Sequence, residues 1–283
     1  MKTPKRLEPL IQEGLIDEVK RQLMSGKEAT VYVVRCGTEI RCAKVYKEAN
    51  QRSFHQAVAY QEGRRVKNSR QARAMEKGSR YGRKMAEEVW QNAEVDALHR
   101  LAAAGVRVPT PYQCFEGVLV MELVTDADGN AAPRLSSVPL TPELALAYHA
   151  ALLHQVVLML CAGVIHGDLS EYNILVDAQG PVIIDLPQAI DAASSSVASS
   201  MLDRDVTNLA TFFGTIVPEL LASQYGKEIW GLYEAGLLTP ETPLTGKVAA
   251  PTAAVDVDAV IREIALAREE AEEIERHKAE MLN

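Results

Sequence analysis

Three side chains that could bind a metal ion or accept a proton fall within one short stretch of the sequence. Asp168 follows a His-Gly pair, Asn173 comes next in the same polar loop, and Asp185 ends the apolar run that follows. Carboxylate and amide oxygens are the ligands that Mg²⁺ prefers, and a carboxylate can also deprotonate a hydroxyl group. If the fold brings them together, these residues could serve a phosphoryl transfer reaction.

Two short apolar runs predict how the three residues meet. Residues 174–176 and 182–184 flank an Asp-Ala-Gln-Gly-Pro turn, a pattern typical of a β-hairpin. With the turn centred on Gln179, antiparallel pairing would set Asn173 beside Asp185, with paired Cα atoms about 5 Å apart. The loop that precedes the hairpin could then fold back over the same edge.

A lysine and a glutamate on apolar faces predict the cationic part of such a site. Lys44 alternates onto one strand face with Ile40, Cys42 and Tyr46, and Glu94 lies on the apolar stripe of a predicted helix. Because burying an unpaired ammonium is costly, we expect Lys44 and Glu94 to form an ion pair. A lysine fixed in this way could bind phosphate oxygens.

Periodicity and composition outline the elements that must position these groups. Apolar spacing predicts helices over 7–24, 87–104, 141–163, from Asp203 onward and over 256–281. Alternation predicts strands over 30–34, 39–46 and 118–124. A polar stretch after Val124 indicates a hinge, which favours an α+β fold with a small β-rich lobe over 1–124 and a mainly helical lobe over 125–283.

A long basic segment interrupts the first lobe. Residues 50–84 are rich in Arg, Lys, Gln and Ser, and 64–84 contains nine basic residues although the whole chain carries a net charge of −8. We expect a flexible loop that contacts RNA or another polyanion, carries autophosphorylation sites at Ser69 or Ser79, or serves as a solvated linker. The sequence leaves these three alternatives open.

Bulk composition narrows the class of protein. With 47% hydrophobic and 24% charged residues, the chain can bury a full core. It shows no signal peptide and no membrane span, and its four cysteines lack CxxC spacing, so we interpret them as buried free thiols. We therefore expect a cytoplasmic protein with no membrane partner.

Four motifs resemble those of the RIO-type atypical serine/threonine protein kinases, in the form that lacks an N-terminal winged helix. They are SGKEATVY, CAKVYK, HGDLSEYNILV and IIDLPQAI. The resemblance implies a two-lobed protein-kinase-like fold, with ATP bound between the lobes and Mg²⁺ as the metal, Mn²⁺ being the alternative. It also implies phosphoryl transfer to an unknown protein substrate or to the protein itself.

The resemblance also implies roles for individual residues. The nucleotide-binding residues would be Ser25 and Lys44 at the phosphates, Glu94 as the partner of Lys44, and the main chain of Glu122 and Val124 at adenine. Asp168 would accept a proton, and Asn173 with Asp185 would bind Mg²⁺. Asp185 would also be a phosphoryl acceptor that forms an acyl phosphate, which would give the protein ATPase activity.

Several motifs depart from ordinary protein kinases. Gly26 is the single glycine of the loop in place of GxGxxG, the catalytic motif reads His-Gly-Asp, and Leu-Pro follows Asp185. Two alternatives remain open. One is a small-molecule phosphotransferase similar to aminoglycoside or choline kinases, and the other is a nucleotide-gated factor that binds RNA or a ribosomal particle through 64–84.

Overall fold

A computed structural model describes residues 3–26, 29–47 and 93–248. All of these except Val248 belong to one unit that ends at Lys247. The predicted basic loop with Ser69 and Ser79, and the predicted helix over 256–281, lie outside the described residues.

The N-terminal lobe is built on a five-stranded antiparallel sheet with strand order β1-β2-β3-β5-β4. Its strands are β1 (Glu18–Ser25), β2 (Ala29–Cys36), β3 (Glu39–Tyr46), β4 (Pro111–Phe115) and β5 (Val118–Glu122). On the central strand β3, Lys44 pairs with Val31 on one side and Leu119 on the other. This central position explains why Lys44 is only 7% exposed.

The strands predicted over 30–34 and 39–46 are confirmed, but the helix predicted over 7–24 is wrong. Only α1 (Glu8–Gln12) is α-helical there, and Gly14 adopts a left-handed φ of 69° that leads the chain away. The following residues form strand β1 because they pair with β2, for example Val19 with Val34. Pairing with a neighbouring strand thus outweighs a helical pattern of local propensity.

A single helix, α2, lies between β3 and β4 in the described part of the lobe. It covers 93–103, and the predicted start at Glu87 lies outside the described residues. Leu98 and Leu101 are buried on its inner face, as is Glu94, which is 2% exposed. The predicted left-handed residue after the helix is confirmed at Gly105, which has a φ of 80°.

In the described part of the C-terminal lobe, three helices pack around one apolar core: α3 (Pro142–Cys161), α4 (Ala198–Gly214) and α5 (Tyr225–Glu234). The predicted start of α3 is confirmed, since the Thr141 hydroxyl accepts a hydrogen bond of 3.3 Å from the Leu144 N–H and Pro142 follows it. Helix α3 is long and apolar enough to cross a membrane, but the buried core helices of globular proteins meet the same criteria. Half of its apolar stretch is buried inside the protein.

The prediction that a helix begins at Asp203 is wrong. Helix α4 begins at Ala198, within the serine-rich tract, so Asp203 and Asp205 lie inside it. The carboxylate of Asp205 is therefore not available as a helix cap. It instead makes contacts with a loop of the same lobe.

Two short strand pairs carry the predicted site: β6 (Val164–Ile165) with β9 (Ile190–Asp191), and β7 (Ile174–Asp177) with β8 (Gly180–Ile183). The hairpin of β7 and β8 exists as expected, but the predicted register is wrong by one residue. Its loop has two residues, so Asp177 pairs with Gly180 and Ile174 with Ile183. Gly180 permits this tight turn with a φ of 120°.

The shifted register changes the neighbour of Asn173. The Ile184 N–H donates to the Asn173 carbonyl at 2.9 Å, so Asn173 faces Ile184 rather than Asp185. Asp185 comes next and has a left-handed φ of 67°, which only a minority of non-glycine residues adopt.

The cysteines are free, but the interpretation of all four as buried is wrong. Cys42 is buried in β3, Cys36 is partly buried, and Cys114 and Cys161 are exposed. The last two sit at the solvent-facing positions of apolar stretches, which composition alone does not reveal.

A histidine is buried among aromatic rings in the core of the C-terminal lobe. His149 of α3 is 3% exposed, its ring meets those of Phe213 and Tyr225 at 5.6 Å, and its Nε2 has no hydrogen-bond partner among the described residues. Burial lowers the pKa of His149 to about 4 from its ordinary 6.5. Protonation therefore favours the unfolded chain.

We predict that His149 lowers stability in mild acid. Its effect is absent above pH 6.5 and grows as the pH falls toward 4, because the unfolded chain then binds the proton first. At pH 5 the free energy of unfolding should be lower by on the order of 1–2 kcal/mol. Thermal denaturation of wild type and His149→Leu at pH 7.5 and 5 measures this difference.

His154, exposed on the same helix, provides the matched control. His154→Leu should lose stability between pH 7.5 and 5 as wild type does, and His149→Leu should lose less. Equal losses in the wild type and in His149→Leu would contradict the prediction.

Candidate active site

A buried ammonium joins the two lobes at the centre of the site. Lys44 Nζ donates to Glu94 Oε1 at 2.6 Å and to Asp185 Oδ1 at 2.7 Å. The Tyr46 hydroxyl donates a short hydrogen bond to the other Glu94 oxygen. The predicted pair of Lys44 and Glu94 is therefore present, and Asp185 of the C-terminal lobe completes it.

The charges around Lys44 stabilise its ionised form. Burial alone would lower the pKa of Lys44, but the carboxylates of Glu94 and Asp185 outweigh it and raise that pKa. Burial would likewise raise the pKa of Asp185, but the Lys44 ammonium, then His166 and Arg134, hold it below its usual value. Both partners are thus charged at neutral pH, as a buried pair requires.

Residues of α4 hold the main chain of the loop that contains Asp168 (166–173). Asp205 accepts hydrogen bonds from the Gly167 N–H at 2.7 Å and from the Leu169 N–H at 3.0 Å. Its carboxylate therefore binds the main chain on both sides of Asp168. Asn208 donates to the Leu169 carbonyl at 3.0 Å. These contacts position Asp168 without touching its side chain.

Asp205 was not among the residues that we predicted for the site. The sequence offers one signal for it, a carboxylate followed three residues later by Asn208 on the inner side of a helix. That signal has meaning only once the helix is known to lie under the loop.

A steric constraint explains why the His-Gly-Asp motif has glycine at its middle position. Gly167 has a φ of 80°, and a Cβ at this position would lie 2.7 Å from the Gln188 carbonyl oxygen. The arginine found there in ordinary protein kinases would require this carbonyl to move.

His166, the residue before Gly167, links the loop to the segment after β8. Its Nε2 forms a hydrogen bond with the Ile184 carbonyl at 3.0 Å, and its Nδ1 accepts one from the Asp168 N–H at 3.2 Å.

Asp168 and Asn173 are brought together as predicted. The Asn173 amide donates to the Asp168 carbonyl at 2.8 Å and approaches its carboxylate at 3.5 Å. Burial raises the pKa of Asp168, partly opposed by His166 and Arg204. A carboxylate with a raised pKa is a stronger proton acceptor than an exposed one.

The loop between β1 and β2 places Ser25 at the sheet edge. The Gly26 N–H donates to the Ala29 carbonyl at 2.9 Å, and the Ser25 hydroxyl lies 3.3 Å from that of Thr30. Lys47 Nζ donates to the Gly26 carbonyl at 2.5 Å and reaches Ser25 Oγ at 3.4 Å. Lys47 is a further cation at this loop that we had not singled out from the sequence.

The segment that follows β5 presents an unused main-chain donor. The Val124 carbonyl accepts from the Ala132 N–H at 2.9 Å, whereas the Val124 N–H has no hydrogen-bond partner among the described residues. Glu122 is fixed next to it, since its N–H donates to the Thr110 carbonyl at 2.9 Å and its carboxylate accepts from the Thr110 N–H at 3.1 Å.

Possible metal ligands in the described part of the chain are few. It contains no group of three or more His, Cys, Asp or Glu residues arranged to hold a metal ion. Asn173 and Asp185 offer hard oxygen atoms but would need other oxygens, such as those of a nucleotide, to complete a Mg²⁺ shell.

Comparisons with known proteins identify similar chains. The "RIO-type serine/threonine-protein kinase Rio1" of Haloferax volcanii is 36% identical over 210 residues, which cover 72% of this chain and 66% of the relative. The human "Serine/threonine-protein kinase RIO1" is 30% identical over 206 residues, which cover 72% of this chain and 34% of the relative. This chain therefore spans about two thirds of the length of the Haloferax relative and about one third of the length of the human relative.

Solved structures show the same fold. The crystal structure of the Rio2 kinase-ADP/Mg²⁺-phosphoaspartate complex from Chaetomium thermophilum has a TM-score of 0.55 at 18% identity and covers 83% of this chain and 73% of that one. The two-lobed kinase-like fold expected from the sequence is thereby confirmed. A model of the RIO domain matches residues 30–225, more than half of the chain, and the protein therefore belongs to the RIO domain family.

Proposed function

We propose that this protein transfers the γ-phosphoryl group of ATP to a serine or threonine hydroxyl, including one of its own, or to water by way of Asp185. The observation that carries the proposal is the Lys44 ammonium held between Glu94 and Asp185, at 2.6 and 2.7 Å. It brings a cation for phosphate oxygens to the lobe that carries Asp168. The relatives named as serine/threonine kinases support this activity.

The unused donor after β5 fits adenine. An adenine ring presents one acceptor and one donor along its edge, which the Val124 N–H and the Glu122 carbonyl would match. The triphosphate would then extend toward Ser25 and Lys44. The Ser25 loop and the Lys44 ammonium would bind its oxygens by charge-assisted hydrogen bonds.

The oxygens of Asn173 and Asp185 fit Mg²⁺, with Mn²⁺ as an alternative of similar ligand preference. The Rio2 complex with ADP and Mg²⁺ supports such a site in this fold. When bound, the ion would neutralise charge on the phosphate oxygens.

In transfer to a hydroxyl group, one proton moves, one bond forms and one bond breaks. Asp168 would take the proton of the acceptor hydroxyl while a bond forms between that oxygen and the γ-phosphorus. The bond from the γ-phosphorus to the bridging oxygen breaks, and ADP leaves with the electron pair. The raised pKa of Asp168, caused by burial, suits it to this role.

Asp185 offers a second acceptor. One of its carboxylate oxygens would form a bond to the γ-phosphorus, with no proton to remove, while the bond from that phosphorus to the bridging oxygen breaks. ADP would leave with the electron pair, and Asp185 would become an acyl phosphate. Water would then cleave that phosphate, with Asp168 accepting the proton, to give inorganic phosphate and free Asp185. The phosphoaspartate in the Rio2 complex supports this route.

We also propose that the protein is cytoplasmic, phosphorylates a protein substrate and contacts RNA or a ribosomal particle through 64–84. This basic segment lies outside the described residues.

We predict that Asp168→Asn lowers the rate of phosphoryl transfer by roughly 10²- to 10⁴-fold, because the variant loses its proton acceptor. Nucleotide affinity should change little, since Asp168 is not a proposed phosphate ligand. Single-turnover transfer from [γ-³²P]ATP and equilibrium ADP binding measure the two effects. Asp128→Asn, in an exposed turn, is the control, and equal rates for the two variants would contradict the assignment.

We predict that reaction with [γ-³²P]ATP leaves a label on the protein that hydroxylamine releases, as expected of an acyl phosphate. Asp185→Asn should abolish this label because an amide cannot form it. Denaturing gels run after treatment with hydroxylamine or acid distinguish the linkages. Acid-stable label alone, unaffected by Asp185→Asn, would show transfer to hydroxyl groups and exclude the Asp185 route.

We predict that Glu94→Gln weakens ATP binding about 10-fold and lowers the free energy of unfolding by roughly 2–4 kcal/mol, because Lys44 loses a buried counter-charge. Nucleotide titration and urea unfolding measure these changes. Glu39→Gln is the matched control. Glu39 lies on the strand that also carries Lys44 and pairs with Arg41 at the same distance of 2.6 Å, but its side chain is 59% exposed. An exposed pair contributes about 1 kcal/mol or less, so equal effects of both variants would contradict the role of burial.

A further inference from the structure

One arginine beside the candidate site, Arg134, contacts both lobes. Arg134 follows the turn after Val124, and its main chain is fixed against β7 of the C-terminal lobe. The Val176 N–H donates to the Pro133 carbonyl at 2.9 Å, and Arg134 forms an antiparallel bridge with Leu175. This anchor lies two residues from Asn173.

The side chain of Arg134 reaches from that anchor to the other lobe. Its Nη2 lies 3.0 Å from the Met24 sulfur, in β1 directly before Ser25 and Gly26. The guanidinium therefore lies between the strand that leads into the proposed phosphate loop and the hairpin that ends at Asp185.

In the described part of the chain, the two lysines of the candidate site already have partners. Lys44 binds two carboxylates, and Lys47 binds the Gly26 carbonyl. Within 3–26, 29–47 and 93–248, Arg134 has no carboxylate at ion-pair distance, and a thioether is only a weak acceptor. Arg134 thus holds an uncompensated positive charge in a partly buried position.

We propose that Arg134 is a nucleotide-binding residue that leaves Met24 and binds the phosphate chain of ATP or ADP from the side opposite Lys44. This inference rests on the proposed function and names a further ligand of the same site. A guanidinium presents a planar pair of donors that matches two phosphate oxygens, which a thioether cannot replace. The phosphates would supply the counter-charge that Arg134 lacks, and the site would favour nucleotides over nucleosides.

The test compares ligands that differ only in phosphate. Dissociation constants of ATP, ADP and adenosine are measured in the presence of Mg²⁺ for the full-length wild type, Arg134→Ala and Arg134→Lys. We expect Arg134→Ala to weaken ATP and ADP binding by roughly 10- to 100-fold and adenosine binding by less than about twofold. Arg134→Lys should retain part of the affinity, because it keeps the charge but not the paired donors.

Arg35→Ala is the matched control. Arg35 pairs with Asp17 at 3.3 Å at the opposite end of the sheet, so its loss should leave all three constants unchanged. Equal weakening of ATP and adenosine by Arg134→Ala would assign Arg134 a packing role and overturn the inference, as would unchanged or tighter ATP binding. Wild-type protein that binds no nucleotide would instead overturn the proposed function itself.

Discussion

The buried ammonium of Lys44 is the constraint on which the site depends. A charge that is 7% exposed on the central strand of a sheet must be paired, and its two partners come from different parts of the chain. Glu94 arrives on a helix of the same lobe, and Asp185 arrives from the hairpin of the other lobe. The ion pairs therefore link the lobes, and a bound nucleotide that competes for Lys44 would act on that link.

Next to these ion pairs, hydrogen bonds within the C-terminal lobe support the loop that contains Asp168. The carboxylate of Asp205 binds the main chain on both sides of it, and His166 connects the loop to the hairpin through the Ile184 carbonyl. Because these contacts are made to backbone atoms, they fix the position of Asp168 without engaging its carboxylate. Gly167 is part of the same arrangement, since no side chain fits between it and Gln188. The His-Gly-Asp motif is thus a packing consequence as well as a family signature.

Much of the fold and of the site could be predicted from periodicity. A two-residue period placed Lys44 on a buried strand face, and a 3.6-residue period placed Glu94 on a buried helix face. Because an unpaired buried charge is strongly destabilising, a lysine and a glutamate buried in the same lobe are expected to pair with each other. The meeting of Asp168 with Asn173 was predictable for a related reason, since a short polar loop before a hairpin has little freedom. The residues missed, Asp205, Lys47 and Arg134, act on segments distant in sequence, and no local pattern marks such contacts.

The sequence by itself determined the two-lobed class, the pairing of Lys44 with Glu94 and the loop that joins Asp168 to Asn173, because each follows from local spacing and the cost of burying charge. Tertiary structure decided that residues 18–25 form a strand, since bonds to β2 outweigh helical propensity. It also decided the hairpin register, because a two-residue turn at Gly180 moves every partner by one. The position of Asp185 beside Lys44 likewise exists only when both lobes are folded, since it depends on a contact across 141 residues of chain.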